Sequence, residues 1–261
     1  MDYRDIDIKY GTSTNGLVTL SLGKTQIMVA STKKLITPQK NKANEGSYRF
    51  NIDFRHLLHS ADFEGSYDVL QQSRVEIVRL LEKVFITSRA IDTNSLCVSK
   101  GKLVWSVSIE ASVLNYDGNL LDSVFLAVLM WLKTLKLPQV RYKDNKVTVL
   151  DDKEWKNINV HHMPIPITFW FMDSNPDFPL LDPNWKEEKV CESRNTVFTN
   201  VFGDICGITT VGSISISPET YINWMITAEE KAKEITKILR QSLKDREESL
   251  KLSQDFMKMQ V

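Results

Sequence analysis

The segment from Leu103 to Leu135, LVWSVSIEASVLNYDGNLLDSVFLAVLMWLKTL, carries a strand, a turn and a helix in unbroken succession. Leu103 to Leu114 is rich in Val, Ile and Trp, residues that suit a pleated, buried surface. Asn115-Tyr116-Asp117-Gly118 supplies turn chemistry. Leu120, Leu121, Val124, Phe125, Val128, Leu129, Leu132 and Leu135 then make a helix that is apolar on nearly every side, and Pro138 ends it. A helix without a polar face is buried between layers. The segment therefore predicts a mixed α/β domain.

Working outward, the N-terminal side reads as strands. Arg4 to Tyr10 alternates, with Ile6, Ile8 and Tyr10 on one face. Thr14-Asn15-Gly16 marks a turn, Leu17 to Leu22 alternates again, and Gly23-Lys24 closes a hairpin onto Thr25 to Ala30. A polar, lysine-rich loop is expected from Lys33 to Asn44, then a strand from Tyr48 to Phe54. Leu70, Ile77, Leu81, Val84 and Phe85 recur at helical spacing behind a cap at Asp68. On the C-terminal side, Val140 to Leu150 reads as a hairpin around Asp144-Asn145, and Pro164 to Phe171 as a strand. Pro176, Pro179 and Pro183 punctuate a loop. Thr196 to Phe202 and Ile205 to Val211 read as a further hairpin. Ser217-Pro218 opens a long helix with the stripe Tyr221, Met225, Ala228, Ala232, Ile235 and Leu239, which gives way to charge beyond Lys244. The hairpins argue against a parallel βαβ array.

Composition narrows the function. Thirty-three basic and 33 acidic residues leave zero formal net charge, so any contact with nucleic acid has to come from a local patch or from a partner's charge. Three cysteines, Cys97, Cys191 and Cys206, form no C-x-x-C pair and point to a reducing compartment without a zinc framework. Met1 to Tyr10 has no secretory pattern, and the apolar run Val124 to Leu132 is shorter than the ~20 residues a bilayer span needs. The expectation is a soluble intracellular protein. His161-His162 would point to opposite faces of a strand, which favours a structural role over a shared metal. Trp105, Trp131 and Trp170 sit in apolar runs and read as core, while Trp185 and Trp224 read as candidates for contacts between subunits. There is no P-loop, nucleophile elbow or dinucleotide fingerprint.

Several segments, in order, resemble one family. They are Asp2-Tyr3-Arg4, Leu22-Gly23-Lys24-Thr25, Asn44-Glu45-Gly46, Ser88-Arg89-Ala90-Ile91-Asp92-Thr93-Asn94-Ser95-Leu96-Cys97-Val98, Val104-Trp105 with Leu114-Asn115-Tyr116-Asp117-Gly118-Asn119, Val160-His161-His162-Met163-Pro164-Ile165, and Asp182-Pro183-Asn184 with Glu187-Glu188. Together they resemble the RNase PH-type ring subunits of the eukaryotic RNA exosome. The resemblance implies the RNase PH-type fold, with two similar βαβα halves in one domain and a long C-terminal helix. The expected division is a domain over residues 1–245, with halves of about 1–137 and 138–245, and a charged helical tail over 246–261. The N-terminal arm with its Asp-Gly-Arg element and the long acidic C-terminal tail of larger members are missing from this sequence. The resemblance also implies partners: other RNase PH-like ring subunits, RNA-binding cap subunits and RNA, with no membrane and no cofactor. It implies a location in the nucleus and nucleolus and also in the cytoplasm.

The same resemblance allows the chemistry to be weighed. Active members place Thr or Ser followed by Arg just after the Asp-Gly turn, to cradle phosphate. Here those positions are Leu120 and Leu121, which offer neither donor nor charge. Lys83 matches a phosphate-binding Arg and keeps only the charge, without the planar fork. Asp182 and Glu188 match two aspartates that would hold a metal or move a proton. The plainer reading of that pair is one loop carboxylate and one helix-start carboxylate, both solvated. No residue is assigned a catalytic role; Asp182, Glu188 and Lys83 are vestigial candidates.

Lys33, Lys34, Lys40 and Lys42 lie in a stretch with no acid, joined by Arg79 near Lys83. In the family this loop faces the central pore. The stretch is either a solvated loop or a sequence-independent contact to RNA phosphates. Three functions follow: a structural ring subunit, which the two leucines favour; an active phosphate-dependent 3′–5′ exoribonuclease; or a different assembly that reuses the fold without RNA.

Overall fold

The computed structural model describes residues 3–11, 16–58, 67–143, 146–149, 155–172, 178–213 and 215–259. Thr14-Asn15, Asp144-Asn145, Pro176, Asp2 and the last two residues of the expected tail lie outside them.

In chain order the elements are β1 (Ile6–Tyr10), β2 (Val18–Leu22), β3 (Thr25–Ile36), β4 (Ser47–Asp53), α1 (Arg55–Leu58), α2 (Tyr67–Leu81), β5 (Cys97–Ser99), β6 (Leu103–Asn115) and α3 (Leu120–Thr134). There follow β7 (Lys136–Pro138), β8 (Val140–Lys143), β9 (Lys146–Val149), β10 (Trp155–Asn157), β11 (Ile165–Phe171), β12 (Leu180–Leu181), α4 (Trp185–Val190), β13 (Ser193–Thr199), β14 (Ile205–Val211) and α5 (Pro218–Met259). The first sheet runs β1-β2-β3-β6-β4, with β5 also on β6. Its pairs are antiparallel except β4 with β6. The second sheet runs β12-β11-β13-β14 and is antiparallel throughout.

α3 is the layer between the two sheets, as its uniform hydrophobicity predicts. Every residue from Leu120 to Thr134 except Lys133 is buried. One side packs on β2 and β3, the other on β11. An aromatic column crosses the molecule through it: Phe50 to Phe85 at 6.1 Å, Phe85 to Phe125 at 5.6 Å and Phe125 to Phe198 at 4.8 Å between ring centroids. Each large apolar side chain so buried contributes about 1.5–3 kcal/mol. α5 covers the second sheet with Trp224, Ala228, Ala232, Ile235 and Leu239, all buried. Ser217 starts it as expected: its hydroxyl accepts from the Thr220 amide at 3.1 Å.

Several sequence expectations are corrected. β3 continues to Ile36, so Lys33 and Lys34 stand on a strand and not in a loop; the long partner β6 holds the register through Ile36–Val104. Asp68 lies inside α2, whose described start is Tyr67. After Leu81 that helix loosens into a π-helical turn, Glu82–Thr87. β13 begins at Ser193 and ends at Thr199, three residues earlier than its apolar pattern suggested, because Asn200 forms the turn: its side-chain oxygen accepts from the amides of Phe202 and Asp204 at 2.9 and 3.0 Å. Trp224 is no subunit contact. It is 5% exposed and packs on Phe171 and Phe169 at 4.8 and 5.7 Å. α5 stays on β1 through Ser242, which hydrogen-bonds the Tyr10 hydroxyl at 2.8 Å, and Arg246, whose guanidinium covers the Tyr10 ring at 4.7 Å; from Glu247 to Leu252 every residue is exposed.

Candidate functional site

The turn after β6 folds against the segment between β12 and α4. Gly118 has φ +85, and a Cβ there would meet the Pro183 carbonyl oxygen at 2.2 Å, so only glycine permits this approach. Thr25 fixes the turn from the first sheet: its hydroxyl donates to the Gly118 carbonyl at 2.7 Å and accepts from the Asp117 amide at 3.0 Å. Asn184 caps α4 with its side-chain oxygen, and Glu187 answers at the Asn184 amide at 2.8 Å. This places Asp182 and Glu188 beside the first turn of α3.

Neither carboxylate is solvated, which corrects the plainer reading of them. Asp182 is 6% exposed. Arg4 grips it with three donors: its backbone amide and Nε to Oδ2 at 2.8 and 2.9 Å, and Nη2 to Oδ1 at 2.8 Å. The Asn119 side-chain amide adds a fourth donor to Oδ1 at 2.8 Å. Four donors fill the lone-pair capacity of a carboxylate. Arg4 also reaches the Asp117 carbonyl at 2.6 Å. Glu188 accepts from the Asn119 backbone amide at 2.8 Å with Oε1 and from the Tyr116 hydroxyl with Oε2. Burial pushes its carboxyl above the usual range, against the pull of those two donors.

Leu120 and Leu121 are 8% and 4% exposed and belong to the core. The next residue, Asp122, is wholly buried. It accepts from Thr168 at 2.7 Å, Asn119 at 3.1 Å and Tyr3 at 3.2 Å. Burial raises its carboxyl to about 7, with the negative Asp182 adding to the effect and its three hydrogen bonds opposing it. Sequence reasoning missed this hub of Tyr3, Arg4, Asn119, Asp122 and Thr168. The one local signal was an aspartate inside an otherwise apolar helix.

The remaining candidates do not join the hub. Lys83 is exposed on the π-helical turn, and Arg79 is exposed on the last turn of α2. Lys34, Lys40 and Lys42 are exposed, the last two on a 3-10 turn after β3. Lys42 pairs with Glu45 at 3.0 Å. Lys33 differs: its Nζ donates to the Lys136 carbonyl at 3.1 Å and lies over the Trp155 ring at 5.7 Å. Its half-burial lowers its basicity. His162 approaches the Ser88 hydroxyl at 3.4 Å, and the His161 backbone amide donates to the Ala90 carbonyl at 2.9 Å. Among the described residues no group of His, Cys, Asp and Glu is arranged to hold a metal ion, and no helix is long and apolar enough to cross a membrane.

Residues 2–138 match the model of the 3′ exoribonuclease family, domain 1, and residues 162–231 match domain 2 of the same family. The chain is 34% identical over 247 residues to exosome complex component RRP45A of Arabidopsis thaliana, covering 93% of this chain and 79% of that protein. It is 31% identical over 246 residues to exosome complex component RRP45 of Bos taurus, covering 94% of this chain and 55% of that protein, so it spans about half the length of the mammalian relative. Its fold is similar to a chain of the Archaeoglobus fulgidus exosome with RNA bound to the active site, with a TM-score of 0.74 and 22% identity over 90% of this chain and 88% of that one.

Proposed function

Because the chain belongs to the 3′ exoribonuclease family of RNase PH domains, we propose that it is a non-catalytic ring subunit of an RNA exosome. In this role it holds neighbouring RNase PH-like subunits, supports RNA-binding cap subunits and helps line the path of RNA toward an associated nuclease. The observation that carries the reading is the burial of Leu120 and Leu121 in the first turn of α3. These are the positions that would need a hydroxyl and a guanidinium to bind phosphate. One charge-assisted hydrogen bond to phosphate is worth roughly 1.5–3 kcal/mol, and here that pair of side chains supplies none.

The vestigial carboxylates point the same way. Asp182 is saturated by Arg4 and Asn119, and Glu188 is held by Tyr116 and Asn119. They act as struts that fasten the N-terminal segment and α4 to α3. The relatives named as exosome components support the assembly. That assembly implies work in the nucleus and nucleolus as well as the cytoplasm. Lys34, Lys40, Lys42 and Arg79 are the exposed cations proposed for RNA; Lys33, already spent on the Lys136 carbonyl, contributes less.

The test is co-expression with the other ring subunits, followed by the mass of the purified complex and an assay of RNA shortening with inorganic phosphate. The expected result is a stable hetero-oligomer in which Asp182→Ala leaves phosphate-dependent shortening unchanged. An isolated chain that shortens RNA with phosphate, and stops on Asp182→Ala, would establish the alternative, an active phosphorolytic exoribonuclease.

A further inference from the structure

Among the described residues β1 pairs only with β2, so one edge of the first sheet is open. The hydrogen bonds at the ends of β1 tell which residues face that edge. The Gly11 amide donates to the Leu17 carbonyl at 2.8 Å, and the Gly23 amide donates to the Asp5 carbonyl at 3.0 Å. Hydrogen-bonded and non-bonded pairs alternate along an antiparallel ladder. Asp5, Asp7, Lys9 and Gly11 therefore turn their backbone groups toward β2. Ile6, Ile8 and Tyr10 turn theirs outward. The Arg4 amide obeys the same parity, pointing away from β2 to Asp182 at 2.8 Å.

The open edge borders a groove of about 900 Å³ between β1 and α5, lined by Ile6, Ile8, Ile238, Gln241 and Leu250 among others. Ile238 and Leu250 are each 46% exposed. We propose that β1 pairs across this edge with β1 of a second copy of the chain, antiparallel and centred on Ile8.

Charge selects both the occupant and the register. The strand reads Ile6-Asp7-Ile8-Lys9-Tyr10, which is complementary to itself when reversed. Centred on Ile8, the outward-facing residues meet as Ile8–Ile8′ and Ile6–Tyr10′, which satisfies the ladder parity. Asp7 then stands opposite Lys9′, and Lys9 opposite Asp7′. Shifting one step either way while keeping parity sets Asp7 against Asp7′ or Lys9 against Lys9′, and like charges directly opposite are unfavourable. Edge lysines usually deter such pairing; here the aspartate two residues away converts the deterrent into a match. In the single chain the two side chains meet each other loosely at 3.6 Å and are 79% and 62% exposed, so little holds them apart from a partner. The contact is isologous and closes as a two-fold dimer, with the two α5 helices on the same face of the joined sheet.

Pairing through β1 needs no other ring subunit. The experiment is sedimentation velocity of the isolated chain over a wide concentration range. The expected result is a monomer of 30.0 kDa that converts to twice that mass as concentration rises. Asp7→Lys and Lys9→Asp should each weaken association by about tenfold or more, and the double exchange Asp7→Lys with Lys9→Asp should restore it. Both positions are exposed, so neither change threatens the fold. A chain monomeric at every concentration overturns the proposal. So does a dimer indifferent to both single exchanges, or pairing at this edge only with an unlike subunit.

Discussion

Asp122 and Asp182 share the side-chain amide of Asn119, at 3.1 and 2.8 Å, yet only Asp182 has a cation. Arg4 neutralises one buried negative charge. A second ionised carboxylate in the same cluster would be uncompensated, so burial drives Asp122 to the acid form and its carboxyl rises from 3.8 to about 7. Its Oδ1 accepts at 2.7 Å from the Thr168 hydroxyl, which lies 2.9 Å from that of Thr196. The sign of the pH dependence follows. A folded-state value above the unfolded one gives stability that is complete below the unfolded value and is lost as pH climbs through the folded one. Stability should therefore fall by on the order of a few kcal/mol as pH rises from about 4 to about 7, and thermal unfolding should shift to lower temperature. The raised Glu188 carboxyl adds to the same slope. Asp122→Asn keeps the shape and the oxygen that accepts from Thr168, and should flatten most of the slope. Parallel curves for the two proteins would show that Asp122 is ionised in the fold.

The elements differ in how well the chain announces them. β1, β2, β6 and α5 were legible because their signals are local: alternation, a Gly23 turn, a Ser217 cap. The end of β3 was not, since Ser31-Thr32-Lys33-Lys34 is polar on both faces and its strand form is imposed by β6. The same force that extends β3 decides which lysines are available. Lys33 turns to the Lys136 carbonyl and Trp155, while Lys34, its strand neighbour, is exposed. If β3 and the 3-10 turn behind it carry RNA contacts, Lys34→Glu, Lys40→Glu and Lys42→Glu together should lower the salt slope of single-strand binding by the assembled ring by about 2. Lys33→Glu alone should act mainly on stability. An unchanged slope after the triple reversal would favour an assembly that reuses this fold without touching RNA.

At the scale of the whole molecule, the sequence conveys the layers but not what ties them together. The uniform hydrophobicity of α3 was enough to place it between sheets. The polar hub was hidden because its members lie far apart in the chain: Arg4 meets Asp182 across 178 residues, and Tyr3 meets Asp122 across 119. Trp224 was misread for a related reason, since only the packed sheet shows that Phe169 and Phe171 wait beneath it. These ties bear on how the chain unfolds. α3 is the shared core of both sheets, the Phe50–Phe85–Phe125–Phe198 column runs through it, and α5 reaches from the second sheet back to Tyr10 on β1. Neither half can keep its apolar face covered once the other leaves. The two family-model segments, residues 2–138 and 162–231, should therefore melt as one unit and not as two. Calorimetry should give a single transition whose calorimetric and van't Hoff enthalpies agree. Arg4→Met, which leaves Asp182 buried without its cation, should lower that one transition and not split it. Two resolved transitions, or an N-terminal half that folds when expressed without residues 139–261, would mean that α3 closes one sheet by itself and that the second sheet is only docked upon it.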